Sequence, residues 1–380
     1  MNKYLKKIKS MLGVLAIVTI SFFLIVMGIL LFYSPGKLKP YTDVDGARLS
    51  GNISEKTFVT IGGVKQGMFI KGKDLNNPVL LYIHGGPGFP NYFLFDKYDP
   101  GLEDYFTVCY WEQRGGGLSY SPEVSLQSMT FDQLTSDAVE VTNYLRNRFG
   151  KEKIFMMAHS GGTPIALKAA SQNPELFNAY IAMAQITDQA ESERIAYRYI
   201  LGQYQAKGNE RKINQLKKYD VLGSDSGTST YYHSKIRDES MHELGIGTMH
   251  KMRSIYLDIF IPVWFCKAYT LSEKVKIWKS KFTFIPRTHL NSELLSRDFT
   301  NEIKSLDIPV YFISGKYDLT VNIELSRAYL ARLKAPIKGF YMFDNSAHSP
   351  LFEEPVKFRQ IIEVDILNLN NSLANDRYLK

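Results

Sequence analysis

The stretch Ile154-Phe-Met-Met-Ala-His-Ser-Gly-Gly-Thr-Pro164 constrains this chain more than any other. An apolar run ends in Ala158-His-Ser-Gly-Gly162, and a helix-like segment follows over 165–172. The pattern predicts a strand, a very tight turn and a helix, with Ser160 at the apex. Small residues are needed two before and two after that serine, because the strand and helix backbones pass close together. Ala158 and Gly162 meet the need, although glycine is usual at the first position. Read alone, Gly/Ala-x-Ser-x-Gly is a weak motif. It gains meaning only if the chain also supplies a base and an acid for the serine.

The surrounding pattern supplies a scaffold. Residues 57–61 and 64–70 flank Gly62-Gly63 and predict a hairpin. Pro78-Val-Leu-Leu-Tyr-Ile83 suits a strand buried on both faces, and it runs into His84-Gly-Gly-Pro-Gly88. Glycines directly after a buried strand make a sharp turn with exposed amides, so Gly85 and Gly86 are candidates, with the Gly161 amide, for an oxyanion hole. His84 reads as a loop brace. A second buried strand, Phe106-Thr-Val-Cys-Tyr-Trp111, precedes Glu112-Gln-Arg-Gly-Gly-Gly117, in which Arg114 either braces the loops or meets a substrate carboxylate. Thr130-Phe-Asp-Gln133 is a capping box for a helix that ends at Gly150. Strands at 180–184, 308–314 and 337–343, alternating with helices, imply a doubly wound, mostly parallel sheet. A last amphipathic helix spans 354–369.

Between these strands the pattern changes. Residues 186–300 read as helices rich in Tyr, Arg, Lys and Glu (192–207, 209–219, 271–280), far more than a crossover needs, and are assigned to an inserted helical cap on a core of 56–185 and 301–380. Residues 34–55 read as a linker. Ahead of it lies a basic arm, 1–10, and an uncharged apolar run, 11–33, long enough to cross about 30 Å of hydrocarbon as a helix. The run exceeds a signal peptide's apolar region and lacks a small-x-small cleavage site. An uncleaved transmembrane anchor is expected, with the lysine side cytoplasmic and the body outside. The net charge of +8 comes partly from this arm and is otherwise scattered, which fits an anionic membrane nearby rather than nucleic acid. Cys109 and Cys266 show no metal-ligand spacing, and their pairing is open.

A serine hydroxyl needs a base within reach and a group that orients the base. In doubly wound hydrolases these follow in the order Ser, acid, His, each on a loop after a strand. Ser160, Asp318 and His348 match that order and placement. Asp344 and Asp188 are the alternative acids, and His159 is expected to point away from the apex. Such a site needs no cofactor and no metal.

Together, His84-Gly-Gly-Pro-Gly88, Glu112-Gln-Arg-Gly115, Ala158-His-Ser-Gly-Gly162, Gly315-x-x-Asp318 and Ala347-His-Ser-Pro350 resemble the α/β-hydrolase fold, and within it the prolyl aminopeptidase branch, over roughly residues 56–370. That branch usually has Gly at 158, an aromatic at 161 and Asp at 112. Gly161 is therefore expected to open space beside the nucleophile. The resemblance implies cap carboxylates that hold a substrate's free amino group, with Glu191 and Glu193 the candidates by position. It implies release of N-terminal residues from short peptides. Ester or lipid-like hydrolysis is the alternative activity, and a non-catalytic binding role the alternative class.

Overall fold

In the computed structural model, which describes residues 2–252 and 254–377, the Gly62-Gly63 turn sets one edge of the fold. Both glycines take positive φ, 53° and 75°, and Ile61 pairs with Val64 across them. That geometry matches the twist of the flanking strands. The hairpin strands are β1 (Ile53–Ile61) and β2 (Val64–Gly72), β1 starting earlier than the pattern indicated because pairing continues to Ile53 and Gly72. The sheet continues with β3 (Val79–Ile83), β4 (Thr107–Trp111), β5 (Ile154–His159), β6 (Phe177–Met183), β7 (Val310–Gly315), β8 (Lys338–Phe343) and β9 (Asp376–Arg377). Its order is β1-β2-β4-β3-β5-β6-β7-β8-β9. The stretch from β4 to β8 is parallel; β1, β2 and β9 are antiparallel. β9 was not foreseen, being too short to carry a period.

Alternate residues of each central strand enter different cores. Leu81 and Ile83 pack on one side with Leu134, Val141 and Ile165; Leu80 and Tyr82 pack on the other with Phe95, Phe358 and Ile362. This is the period-two signature of strands covered on both faces.

α1 (Asn2–Phe32) is one continuous helix that takes in the basic arm, and its stretch Tyr4–Phe32 has the length and composition to cross a membrane. Met1, at the start of that arm, and 378–380, at the end of the expected core, lie outside the described residues. α2 (Phe131–Phe149) is capped by Thr130 and stops at Gly150 with φ 61°. Only half of the predicted capping box forms, since the Gln133 side chain donates to Asp137 (2.8 Å). α3 (Thr163–Gln172) follows the serine turn. The insertion between β6 and β7 contains α4 (Gln189–Ala206), α5 (Lys235–Glu243), an apolar helix Tyr256–Phe265 and α6 (Leu271–Lys279), and part of it packs around its own core of Tyr197, Ile200, Tyr204 and Leu216. α7 (Ile323–Arg332) returns to the sheet. The final helix is shorter than expected, Pro355–Ile361 with a wider-wound turn to Ile366. The start of the expected linker is tied down, because Pro35 bridges Thr270 and the Lys37 N–H donates to the Lys267 carbonyl (3.0 Å). Cys109 and Cys266 are both buried and free.

Candidate active site

Ser160 sits between β5 and α3 with φ +51°, a left-handed conformation that a side chain adopts only where the surroundings impose it. The cause lies in the neighbours. A Cβ on Gly162 would stand 2.5 Å from the carbonyl oxygens of Ile83 and His84, so any larger residue would push helix and strand apart. The Ser160 carbonyl accepts a hydrogen bond from Thr163 Oγ1 (2.7 Å), which fixes the first turn beyond the apex.

The glycine loop after β3 closes over this turn. A Cβ on Gly85 would lie 2.9 Å from Ser160 Cβ, and Gly86 has φ +110°. His84 holds the loop. Its Nδ1 donates to the Gly85 carbonyl (2.9 Å), its Nε2 accepts from the Gln113 N–H (3.1 Å), and Gln113 Nε2 donates back to the His84 carbonyl (2.5 Å). Burial pulls the His84 pKa down to about 4, so the ring is neutral, as an accepting Nε2 requires. The two glycine-rich loops are thus one braced unit. The space beside Gly161 is not open as expected: a Cβ there would meet the Gly86 and Pro87 nitrogens at 3.2 Å, so loop backbone occupies it.

His348 lies on the loop after β8 and Asp318 on the loop after β7. Asp318 Oδ2 accepts from His348 Nδ1 (2.8 Å), and its other oxygen accepts from the N–H groups of Thr320 (2.9 Å) and Val321 (3.0 Å). Asp318 is wholly buried. Neither alternative acid takes its place: Asp344 is mostly exposed and faces Lys357 (3.5 Å), and Asp188 caps α4. His159 Nε2 donates to the His348 carbonyl (2.8 Å), and burial lowers its pKa to about 3. It steadies the histidine loop. Ser160, Gly85, Gly86, Gly161 and His348 all line one cavity of about 230 Å³ under the helical insertion. Among the described residues, no three His, Cys, Asp or Glu side chains gather to hold a metal.

Residues 78–355 match the family model described as the alpha/beta hydrolase fold. The chain belongs to the α/β-hydrolase family. It is 34% identical, over 79% of its length and 92% of the relative's, to a probable aminopeptidase, YbaC, of Bacillus subtilis. It is 24% identical to a proline iminopeptidase of Saccharolobus solfataricus, covering 77% of this chain and 85% of that one. Among solved structures, the proline iminopeptidase of Mycobacterium smegmatis superposes with TM-score 0.58 at 15% identity (81% and 96% covered). A proline iminopeptidase-related protein of Thermus thermophilus gives 0.57 at 19% (82% and 96%). These structural likenesses speak for the fold.

The α/β-hydrolase cavity is not lined by the three residues singled out for substrate contact. Arg114 is buried and clamps Asp137 through Nε (2.7 Å) and Nη2 (2.8 Å), with a third bond to the Gly62 carbonyl (2.8 Å). It fastens the hairpin turn to α2 and cannot turn toward substrate. Glu191 faces Arg198 (3.3 Å) and Arg194 (3.6 Å) on the flank of α4. Glu193 is fully buried and holds Arg237 through both oxygens (2.8 and 2.5 Å). It stands behind Arg237, which does line the cavity. Three charged lining residues were missed: Arg237, Asp238 and Lys281. Asp238 is the one carboxylate among the lining residues and accepts from Arg237 Nη1 (2.9 Å). Lys281 lies over the Phe89 ring, 4.5 Å from its centroid. No local motif marks any of them.

Proposed function

We propose that this α/β hydrolase is a membrane-anchored serine hydrolase that releases N-terminal residues from short peptides. The observation that carries the chemistry is the 2.8 Å hydrogen bond between Asp318 and His348, the latter lining the same cavity as the strained Ser160 turn. Asp318 holds His348 in the tautomer with the proton on Nδ1, leaving Nε2 to take the Ser160 proton as Oγ attacks a carbonyl carbon. The amides of Gly161 and the Gly85–Gly86 turn receive the oxyanion, next to the amino end of α3. The protonated Nε2 then gives its proton to the departing amine. Water, deprotonated by the same nitrogen, releases the acyl group and restores Ser160.

The peptide reading draws support from the relatives named as aminopeptidases and from the charges around the cavity. A short peptide carries an amine and a carboxylate. Asp238 offers an acceptor to the first and Lys281 a cation to the second. The anchor reading draws support from α1, exposed along its apolar length. A fluorophosphonate probe should label wild-type protein and not Ser160→Ala, with hydrolysis lost in the variant. Labelling elsewhere, or activity kept, sinks the mechanism. Aminoacyl-arylamides cleaved faster than p-nitrophenyl esters would uphold the substrate class.

A further inference from the structure

The apolar helix Tyr256–Phe265 presents an unusual outer face. Tyr256, Leu257, Phe260, Ile261 and Phe265 are 66%, 63%, 38%, 38% and 48% exposed, while Ile259 and Val263 are buried beneath them. Their spacing puts the exposed residues along one side of the helix. The stripe continues off the helix through contacting rings: Phe260 to Trp278 (4.9 Å between centroids), and Trp278 stacked on Phe282 (5.6 Å), which is 63% exposed. A contiguous aromatic and aliphatic patch on the surface of the insertion calls for an occupant.

The end of α1 identifies that occupant. Tyr33 packs edge-on against Phe265 with ring centroids 4.5 Å apart, and Lys267 Nζ lies 4.8 Å from the Phe32 ring. Lys274 then locks the junction, donating to the Tyr33 carbonyl (2.6 Å), Ser34 Oγ (3.0 Å) and the Trp264 carbonyl (2.6 Å). The apolar patch is therefore continuous with the aromatic end of the helix read as the anchor. A Phe, Tyr, Trp and Lys collar is the composition of a membrane interface, and a helix with one apolar face lies in that interface.

We propose that the helix Tyr256–Phe265 rests in the outer surface of the bilayer, so that the cavity opens at the lipid surface and takes amphiphilic substrates: peptides or esters bearing a long apolar group. This rests on the reading of α1 as an anchor. The path inward is short. Ile255 and Ile259, at the base of the exposed stripe, line the cavity, as does Phe89, whose ring is 5.7 Å from Trp278. An apolar chain would pass from lipid to Ser160 without crossing water.

The test uses full-length protein in phosphatidylcholine–phosphatidylglycerol vesicles containing spin-labelled lipid. A fluorophore is placed on Leu257→Cys, on Phe22→Cys within α1, or on Leu222→Cys at a remote exposed site of the insertion; native Cys109 and Cys266 are buried. Quenching at 22 and 257 but not at 222 is the expected result. Quenching at 22 alone overturns the proposal and leaves the anchor standing. No quenching at 22 removes the anchor and the proposal together. In parallel, Leu257→Asp with Phe260→Asp should cut turnover of a long-chain substrate held in the vesicles several-fold while leaving a short soluble substrate unaffected. Equal loss on both counts against the proposal.

Discussion

Lys281 brings a charge to the cavity wall, where it lies over the Phe89 ring and in the field of Asp238. Lys281 is partly buried, and that burial pulls its pKa down. A charge-assisted hydrogen bond to such a group is worth about 1.5–3 kcal/mol, or roughly tenfold or more in affinity. Lys281→Met should therefore raise KM for dipeptides by that order and leave aminoacyl-arylamides, which have no carboxylate, unchanged. Asp238→Asn should raise KM for both classes, since both carry the amine. Equal effects of Lys281→Met on the two substrates would refute the carboxylate role. Neither residue was legible in the sequence. Ser160, Asp318 and His348 were, because each closes an apolar strand run at a fixed place in the chain order, whereas a cap charge acquires its place only through tertiary packing. Glu193 shows the same limit: its partner Arg237 comes from another helix, and the ion pair leaves the carboxylate no vacancy for substrate.

Among the elements, β4 and α6 are linked through one carboxyl. Glu112, at the end of β4, accepts from the Leu118 N–H (2.5 Å) and from the Tyr269 hydroxyl at the foot of α6. Burial raises its pKa from 4.5 to about 8, the two hydrogen bonds opposing only in part. Between those values the folded protein keeps a proton that the unfolded chain has lost, so stability falls as pH rises through this window and is fully present below it. Glu112→Gln removes the titration while keeping an acceptor for Leu118. The melting temperature of the wild type should drop from about pH 5 to about pH 8 more steeply than that of the variant. Parallel curves would show that Glu112 is not the group responsible. This tie was foreshadowed only as a departure at one position. The strands on either side were legible because period and punctuation are local. The capping box failed in part because Asp137, bound to Arg114, competes for the Gln133 side chain.

At the scale of the molecule, α1 joins the insertion rather than the sheet, and the lobe that covers Ser160 is the lobe that meets the end of α1. Its keystone is Lys274, a lysine with no exposed surface whose three acceptors come from the end of α1 and from Trp264. Lys274→Met fills similar volume but takes the donor from two part-buried carbonyls, each costing about 1 kcal/mol. For a body of this size each kcal/mol lowers the melting temperature by about 2–4 °C. The full-length variant should melt several degrees lower and be cut faster by protease within 34–52, where the chain would no longer be held against Thr270. Hydrolysis of a small soluble substrate should persist, because Lys274 touches none of Ser160, Asp318 or His348. An unchanged melting temperature and cleavage rate would mean that α1 hangs from the body without engaging it. In that case the proposed seating of the cavity on a bilayer would depend on the Tyr256–Phe265 face alone.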